Sequence, residues 1–125
     1  RDEYSETAGY VIQGKNKKAL FIPDIDKWDK WDKKLIKLAE EFDYLLLDAT
    51  FYDSKEINRD LREIPHPLVT ETMTLLDTLS PDTKRKVYFI HMNHTNLMLD
   101  ANSDLSKLVE SKGFNIARLG QKLYL

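Results

Sequence analysis

Residues 44–51 read YLLLDATF. Four apolar residues follow one another without polar alternation, the pattern of a strand covered on both faces. The run stops on a carboxylate, Asp48. The same arrangement occurs twice more: ALFI (19–22) leads into Pro23 and Asp24, and VYFI (87–90) leads into His91. These three short strands, each delivering an ionisable residue at or just past its end, set the frame for the rest of the chain.

Segments of helical period lie between them. Trp28, Trp31, Leu35, Leu38 and Phe42 step by three and four and predict one continuous helix, with Asp26 as its N-cap and lysines and glutamates on the other face. Residues 52–65 are charged and irregular and read as a loop. His66 and Pro67 open the next helix, with Pro at its first turn; Leu68, Leu75, Leu76 and Leu79 face the core, and Ser80 and Pro81 end it. Asp104 to Lys112 predicts a third helix, with Leu105, Leu108 and Val109 inward and Gly113 as its stop. Upstream, Tyr10–Ile12 and Ala19–Ile22 predict a hairpin around the polar turn Gly14–Lys17. Asn115–Leu119 and Lys122–Leu125 read as terminal strands. The order β-β-α-β-α-β-α-β predicts a layered α/β sheet with helices packed against it. Residues 1–8 are polar and are expected to be flexible, with one domain spanning 9–125.

Composition narrows the function classes. The chain has 125 residues, 42% hydrophobic and 32% charged, an ordinary globular balance. Its net charge of −2 gives no bulk attraction to nucleic acid. The absence of cysteine excludes disulfides, thiolate zinc sites and a cysteine nucleophile. It also suits cytoplasm and periplasm alike, with the cytoplasm favoured. No apolar run reaches membrane-spanning length, and nothing at the start resembles a signal peptide.

In layered α/β sheets, ligands gather outside the carboxyl ends of the strands. Asp24, Asp48 and His91 are delivered there, and carboxylates with an imidazole suit a divalent cation or general acid–base work. Each alone has a plainer reading: Asp after a strand is commonly a turn former or helix cap. His66 at a helix start reads by itself as a cap or a packed polar residue. The segment HMNHTN (91–96) is rich in donors and acceptors, and Asn93, His94 and Asn96 either line a site or hold the loop together. Asn93-His94-Thr95 also matches a glycosylation sequon, a match common by chance. Trp28 and Trp31 belong with the core.

FIPDIDKW (21–28), YLLLDATFYDSKEI (44–57), IPHP (64–67), FIHMNHTNLMLD (89–100) and the closing GFNIARLGQKLYL resemble the C-terminal half of the metallo-β-lactamase superfamily, most of all its coenzyme PQQ synthesis protein B branch. The resemblance implies half of an αββα sandwich: a mixed sheet with helices on one face. It implies metal ligation by Asp24 and His91, with Asp24 bridging. Asp48 stands where related phosphodiesterases carry an acid. His66 matches the histidine that pairs with that acid and protonates a leaving group. His94, where the branch usually has Asn, departs from its pattern, and so do Ala49 in place of glycine and the retained Asp24.

The superfamily's HxHxDH motif is absent from this chain. The resemblance therefore implies a piece of a longer enzyme, in keeping with a start at Arg1 rather than Met. The partner it calls for is an N-terminal half of the same fold, either upstream in the chain or a second copy in a homodimer, with a small-molecule substrate. The cofactor it implies is a divalent metal, zinc foremost, as one or two ions in the full-length protein. Asp24 and His91 fall short of a zinc shell, so the chain alone is expected to hold no metal tightly and to be inactive. A metal-dependent hydrolase of esters or phosphodiesters comes first. A protein acting on a cofactor precursor, as in PQQ biosynthesis, comes second, and a metal-free binding module third.

Overall fold

Strands β1 (Tyr10–Gln13) and β2 (Lys18–Ile22) form the expected antiparallel hairpin, closed by a bond from the Gly14 amide to the Lys17 carbonyl, 2.9 Å. The computed structural model describes residues 9–30, 34–56, 60 and 63–125. The expected flexible segment 1–8 and Trp31 lie outside them. The elements that follow are α1 (Leu35–Glu41), β3 (Tyr44–Asp48), α2 (Val69–Leu75), α3 (Pro81–Lys84), β4 (Val87–Ile90), α4 (Asp104–Ser111) and β5 (Asn115–Ile116). The sheet runs β1-β2-β3-β4-β5, antiparallel at the first pair and parallel at the other three.

Register sorts the strand residues by face. Leu20, Leu45 and Val87 stand side by side, as do Ile22, Leu47, Phe89 and Ile116. All seven join one core cluster with Leu35 and Ala39 of α1, Val69 and Met73 of α2, and Val109 of α4. The helices therefore cover this face. The opposite face carries Tyr10, Ile12, Ala19, Phe21, Tyr44, Leu46, Tyr88 and Ile90. There Tyr10 is 58% and Ile12 44% exposed, and Phe21, Tyr44, Leu46, Tyr88 and Ile90 are half-buried. Thus, among the described residues, β3 is fully covered on one face only, where the unbroken YLLL run predicts two. No helix among the described residues is long and apolar enough to cross a membrane.

The expected single helix from Asp26 to Phe42 is interrupted. Trp28–Lys30 is one 3₁₀ turn, and Lys34, in extended backbone, precedes α1. Asp26 does not cap the helix; its carboxylate accepts the adjacent Lys27 amide at 2.7 Å. Trp28 is pinned by its indole N–H to Thr72 Oγ1 at 2.8 Å and packs against the core. This anchor fixes Trp28 independently of α1. Helix α2 starts at Val69 rather than at Pro67, because loop carbonyls substitute for a cap. The Val69 and Thr70 amides donate to the carbonyls of Phe51 and Tyr52, both at 3.1 Å, and Glu71 accepts the Leu68 amide at 2.8 Å.

Ser80 and Pro81 do not close α2. They open α3, with Ser80 Oγ accepting the Thr83 amide at 3.2 Å and Pro81 in the first turn. On α4, Leu105 and Val109 point inward as expected, but Leu108 is 43% exposed. Its place is taken by Ser106, fully buried, whose hydroxyl donates to the Asp100 carbonyl at 2.7 Å. Gly113, at φ +97°, ends α4 as read.

The terminal strand shrinks to Asn115–Ile116, and residues 122–125 do not pair with the sheet. A turn at Gly120 carries them away, and the Leu125 carbonyl instead accepts the Asn16 and Lys17 amides at 2.8 and 3.2 Å. A Cβ on Gly14 would lie 2.2 Å from the Leu125 Cβ, so this docking requires glycine there.

The adjacent leucines of α2 test the packing. Val69, Thr72, Met73 and Leu76 form its buried stripe, while Leu75, read as core from the sequence, falls off that stripe and is 39% exposed. Leu76→Ala is expected to cost about 2–5 kcal/mol and Leu75→Ala under about 1 kcal/mol, read from urea midpoints. Equal losses would contradict this orientation of α2.

Candidate functional site

Strands β2, β3 and β4 are parallel, so their carboxyl ends share one edge of the sheet. Asp24 follows β2, Asp48 ends β3 and His91 follows β4, and the structure gathers all three on that edge. Asp24 (φ +50°) and His91 (φ +63°) are the non-glycine residues in left-handed backbone among those described. Such conformations cost on the order of 1–3 kcal/mol each and concentrate at functional sites.

Asp48 is fully buried and meets four donors. Oδ1 accepts the Thr50 amide at 2.8 Å and the Thr50 hydroxyl at 2.7 Å. Oδ2 accepts the Ile25 amide at 2.8 Å and His66 Nδ1–H at 2.9 Å. Burial by itself pushes the Asp48 carboxyl up. The hydrogen bonds from His66 and Thr50, with the charge of His66, outweigh it and hold the group below its ordinary value.

His66 stands in the turn before α2. The amide bonds from that helix to Phe51 and Tyr52 carry it back over the end of β3. Its ring is buried, meets Phe51 edge-on at 5.9 Å between centroids, and lies 6.2 Å from the ring of His91. With Nδ1 committed to Asp48, Nε2 is the nitrogen that can exchange a proton with a substrate. Asp24 Oδ1 lies 3.7 Å from His66 Nδ1.

His91 is the more open imidazole, its side chain 44% exposed. Its Nδ1 lies 3.0 Å from Thr50 Oγ1 and 4.0 Å from Asp48 Oδ1. The loop beyond it is held from within. The Asn93 amide donates to the Thr50 carbonyl at 2.9 Å, and the Asn93 side chain to Thr95 Oγ1 at 2.8 Å. Asn96 is 2% exposed, donating to the Ala49 carbonyl and accepting the Met98 amide, at 2.8 and 2.9 Å. Its side chain therefore braces the loop. His94 is exposed. Thr95 donates to Glu56, which also accepts the Tyr52 amide, so the loops after β3 and β4 are tied together. Thr50, absent from the residues singled out by sequence, touches Asp48, His66 and His91 at once. Its local signal is a hydroxyl two residues past a strand-ending aspartate.

One ligand atom each from Asp24, Asp48 and His66 lies within 4.8 Å of the others, a grouping able to take a cation. Oxygen and imidazole donors fit zinc or a similar ion. Asp48 would have to release hydrogen bonds to ligate, which leaves Asp24 and the His66 ring as the fitting donors of that group; His91 stands outside it. Their chemistry fits a divalent metal; their number is short of a full shell.

Asp48 gives a pH-dependent prediction. Its carboxyl is lower in the folded than in the unfolded chain, so its contribution is complete above the ordinary carboxylate range and fades as pH falls through the lowered value. Asp48→Asn is expected to lose on the order of 3 kcal/mol near pH 7, narrowing toward pH 2, by urea unfolding at both. A gap that does not narrow would show that ionisation of Asp48 contributes nothing.

The family described as "Beta-lactamase superfamily domain" matches residues 1–92. Coenzyme PQQ synthesis protein B of Pseudomonas putida is 29% identical over 100 residues, 75% of this chain and 33% of that protein. The same protein of Pseudomonas entomophila is also 29% identical, with the same coverage. The crystal structure of Zn²⁺-bound PqqB from Methylobacterium extorquens superposes with a TM-score of 0.77 at 23% identity, over 95% of this chain and 44% of that one. This chain thus spans less than half of these relatives, and the matched fold is the expected mixed sheet with helices. With three quarters of its length matched by the family, the chain belongs to the metallo-β-lactamase superfamily and is similar to its PqqB members.

Proposed function

We propose that this chain carries one half of a metal-dependent hydrolytic centre acting on a small ester or phosphodiester. The observation that carries this reading is the buried Asp48–His66 pair, 2.9 Å apart, set between Asp24 and His91 on one sheet edge. Asp24 and His91 are the proposed metal ligands, and a second half of the same fold supplies the others. A divalent ion bound there would polarise the scissile centre and acidify water.

The chain's own residues divide the remaining work. Asp48 holds the ring of His66 through Nδ1 and stabilises it when it is protonated, and Nε2 then gives its proton to the departing oxygen. Phe51 shields one side of that ring. Tyr52, whose phenol is pushed up by burial and by Asp53, stays protonated and takes no part as a base.

A second reading, action on a cofactor precursor, is favoured by one observation: the relatives matched are coenzyme PQQ synthesis proteins. Retention of Asp24 as a ligand favours the hydrolase.

In the full-length protein, Asp24→Ala and His91→Ala are expected to lower bound metal, measured by elemental analysis. His66→Ala is expected to keep the metal and to lose about 10²–10⁴-fold in hydrolysis of bis(p-nitrophenyl) phosphate. Unchanged metal content in both ligand variants would overturn the reading. Oxidation of a quinone precursor without phosphodiester hydrolysis would favour the second.

A further inference from the structure

The Thr50 hydroxyl sits among three partners and has one hydrogen to give. Asp48 Oδ1 is 2.7 Å away, His91 Nδ1 3.0 Å and His66 Nδ1 3.2 Å. The carboxylate is the nearest acceptor and the charged one, and hydrogen bonds to ionised acceptors are roughly twice as strong as neutral ones. The hydroxyl hydrogen therefore goes to Asp48. Toward both imidazoles Oγ1 can then only accept, and its two lone pairs match two Nδ1–H donors.

His66 has a second reason to carry its proton on Nδ1, since Asp48 Oδ2 accepts there at 2.9 Å. Among the described residues His91 Nδ1 has no such second hold, because Asp48 Oδ1 lies 4.0 Å away. Asp48 dictates the hydroxyl's direction, and the hydroxyl dictates the ring of His91. Thr50 itself is 8% exposed, so water competes little for these bonds.

We propose that Thr50 is a positioning residue that fixes His91 in its Nδ1–H tautomer, leaving the lone pair on Nε2. An unrestrained neutral imidazole favours the opposite form, with the proton on Nε2. A ring fixed in this way enters a metal shell through Nε2 without first moving a proton, and that consequence rests on the metal-dependent reading above.

The test is long-range ¹H–¹⁵N correlation of the imidazole nitrogens in the metal-free full-length protein, at about pH 8.5 where an ordinary histidine is neutral. Wild type and Thr50→Ser are expected to show His91 protonated on Nδ1. In Thr50→Val, His91 is expected to shift to the Nε2–H form, while His66, still held by Asp48, does not. A wild-type His91 protonated on Nε2 overturns the proposal and needs no variant to fold. So does a Thr50→Val spectrum in which His91 is unchanged. Zn²⁺ affinity, by competition with a chromophoric chelator, is expected to fall about 10- to 100-fold in Thr50→Val and to recover in Thr50→Ser. A shifted tautomer with unchanged Zn²⁺ affinity supports the role of Thr50 and counts against His91 as a ligand, so the two readings fail separately.

Discussion

A carboxylate with no solvent exposure must be compensated where it lies, and Asp48 is such a group. Its four donors come from different parts of the chain: the Ile25 amide from the turn after β2, the Thr50 amide and hydroxyl from the end of β3, and the His66 ring from the approach to α2. Satisfying one buried charge therefore fixes three segments relative to each other. The Ile25 bond holds the turn that carries Asp24. The Thr50 hydroxyl, oriented by Asp48, meets His91. Remove the charge and the reason for these segments to converge goes with it, while the donors left behind become buried and unsatisfied.

The strained residues follow from the same lock. Asp24 and His91 hold positive φ because the chain must turn sharply on leaving β2 and β4. The bond from Ala49 to the Ile90 carbonyl, 2.7 Å, and that from Asn93 to the Thr50 carbonyl, 2.9 Å, prevent relaxation on the β4 side. Buried Asn96 adds a further brace to Ala49. Energy spent on these turns leaves the ionisable groups already gathered, so a ligand of the proposed kind would find little ordering left to do.

How far this was legible in the sequence depends on the range of each interaction. Strands announce themselves locally, and ALFI, YLLL and VYFI with their terminal Asp24, Asp48 and His91 appear where read. Helix limits were less legible. The start of α2 is set by carbonyls of Phe51 and Tyr52, and the break before α1 accompanies a Trp28 anchored to Thr72, 44 residues away. A period of three and four cannot register such partners. Leu108 and Leu75 fit an apolar stripe by spacing, but Ser106 with its hydroxyl satisfied displaces one, and the phase of α2 turns out the other. Thr50 is the clearest case. Its bond to Asp48 spans two residues, and a sequence can suggest it, whereas its contacts with His66 and His91 span 16 and 41. The convergence exists only once the sheet has formed.

The sheet's two faces bear on the proposed reading of the site. Strand alternation puts Asp48 on the same side as Tyr44 and Leu46, the side that the described helices leave uncovered. That side also carries Phe21 and Tyr88, with rings paired as Tyr10–Phe21 at 6.5 Å and Tyr44–Tyr88 at 6.1 Å. An aromatic face of this kind gains most from being covered, since apolar burial is worth about 25 cal/mol per Å². Asp24 and His91, the proposed ligands, lie along one rim of that face and on that reading need further donors. On that reading, the open aromatic face and the site that needs more donors fall on one side of the molecule. An element that packs on Phe21, Leu46 and Tyr88 would, at the carboxyl edge, come within reach of Asp24 and His91. The hydrophobic association would then set the distance at which the site closes. A cover that slipped by one strand register would bury similar area yet misplace its ligands. If the proposed reading holds, binding of metal and docking of such a cover are coupled, each strengthening the other by the same factor.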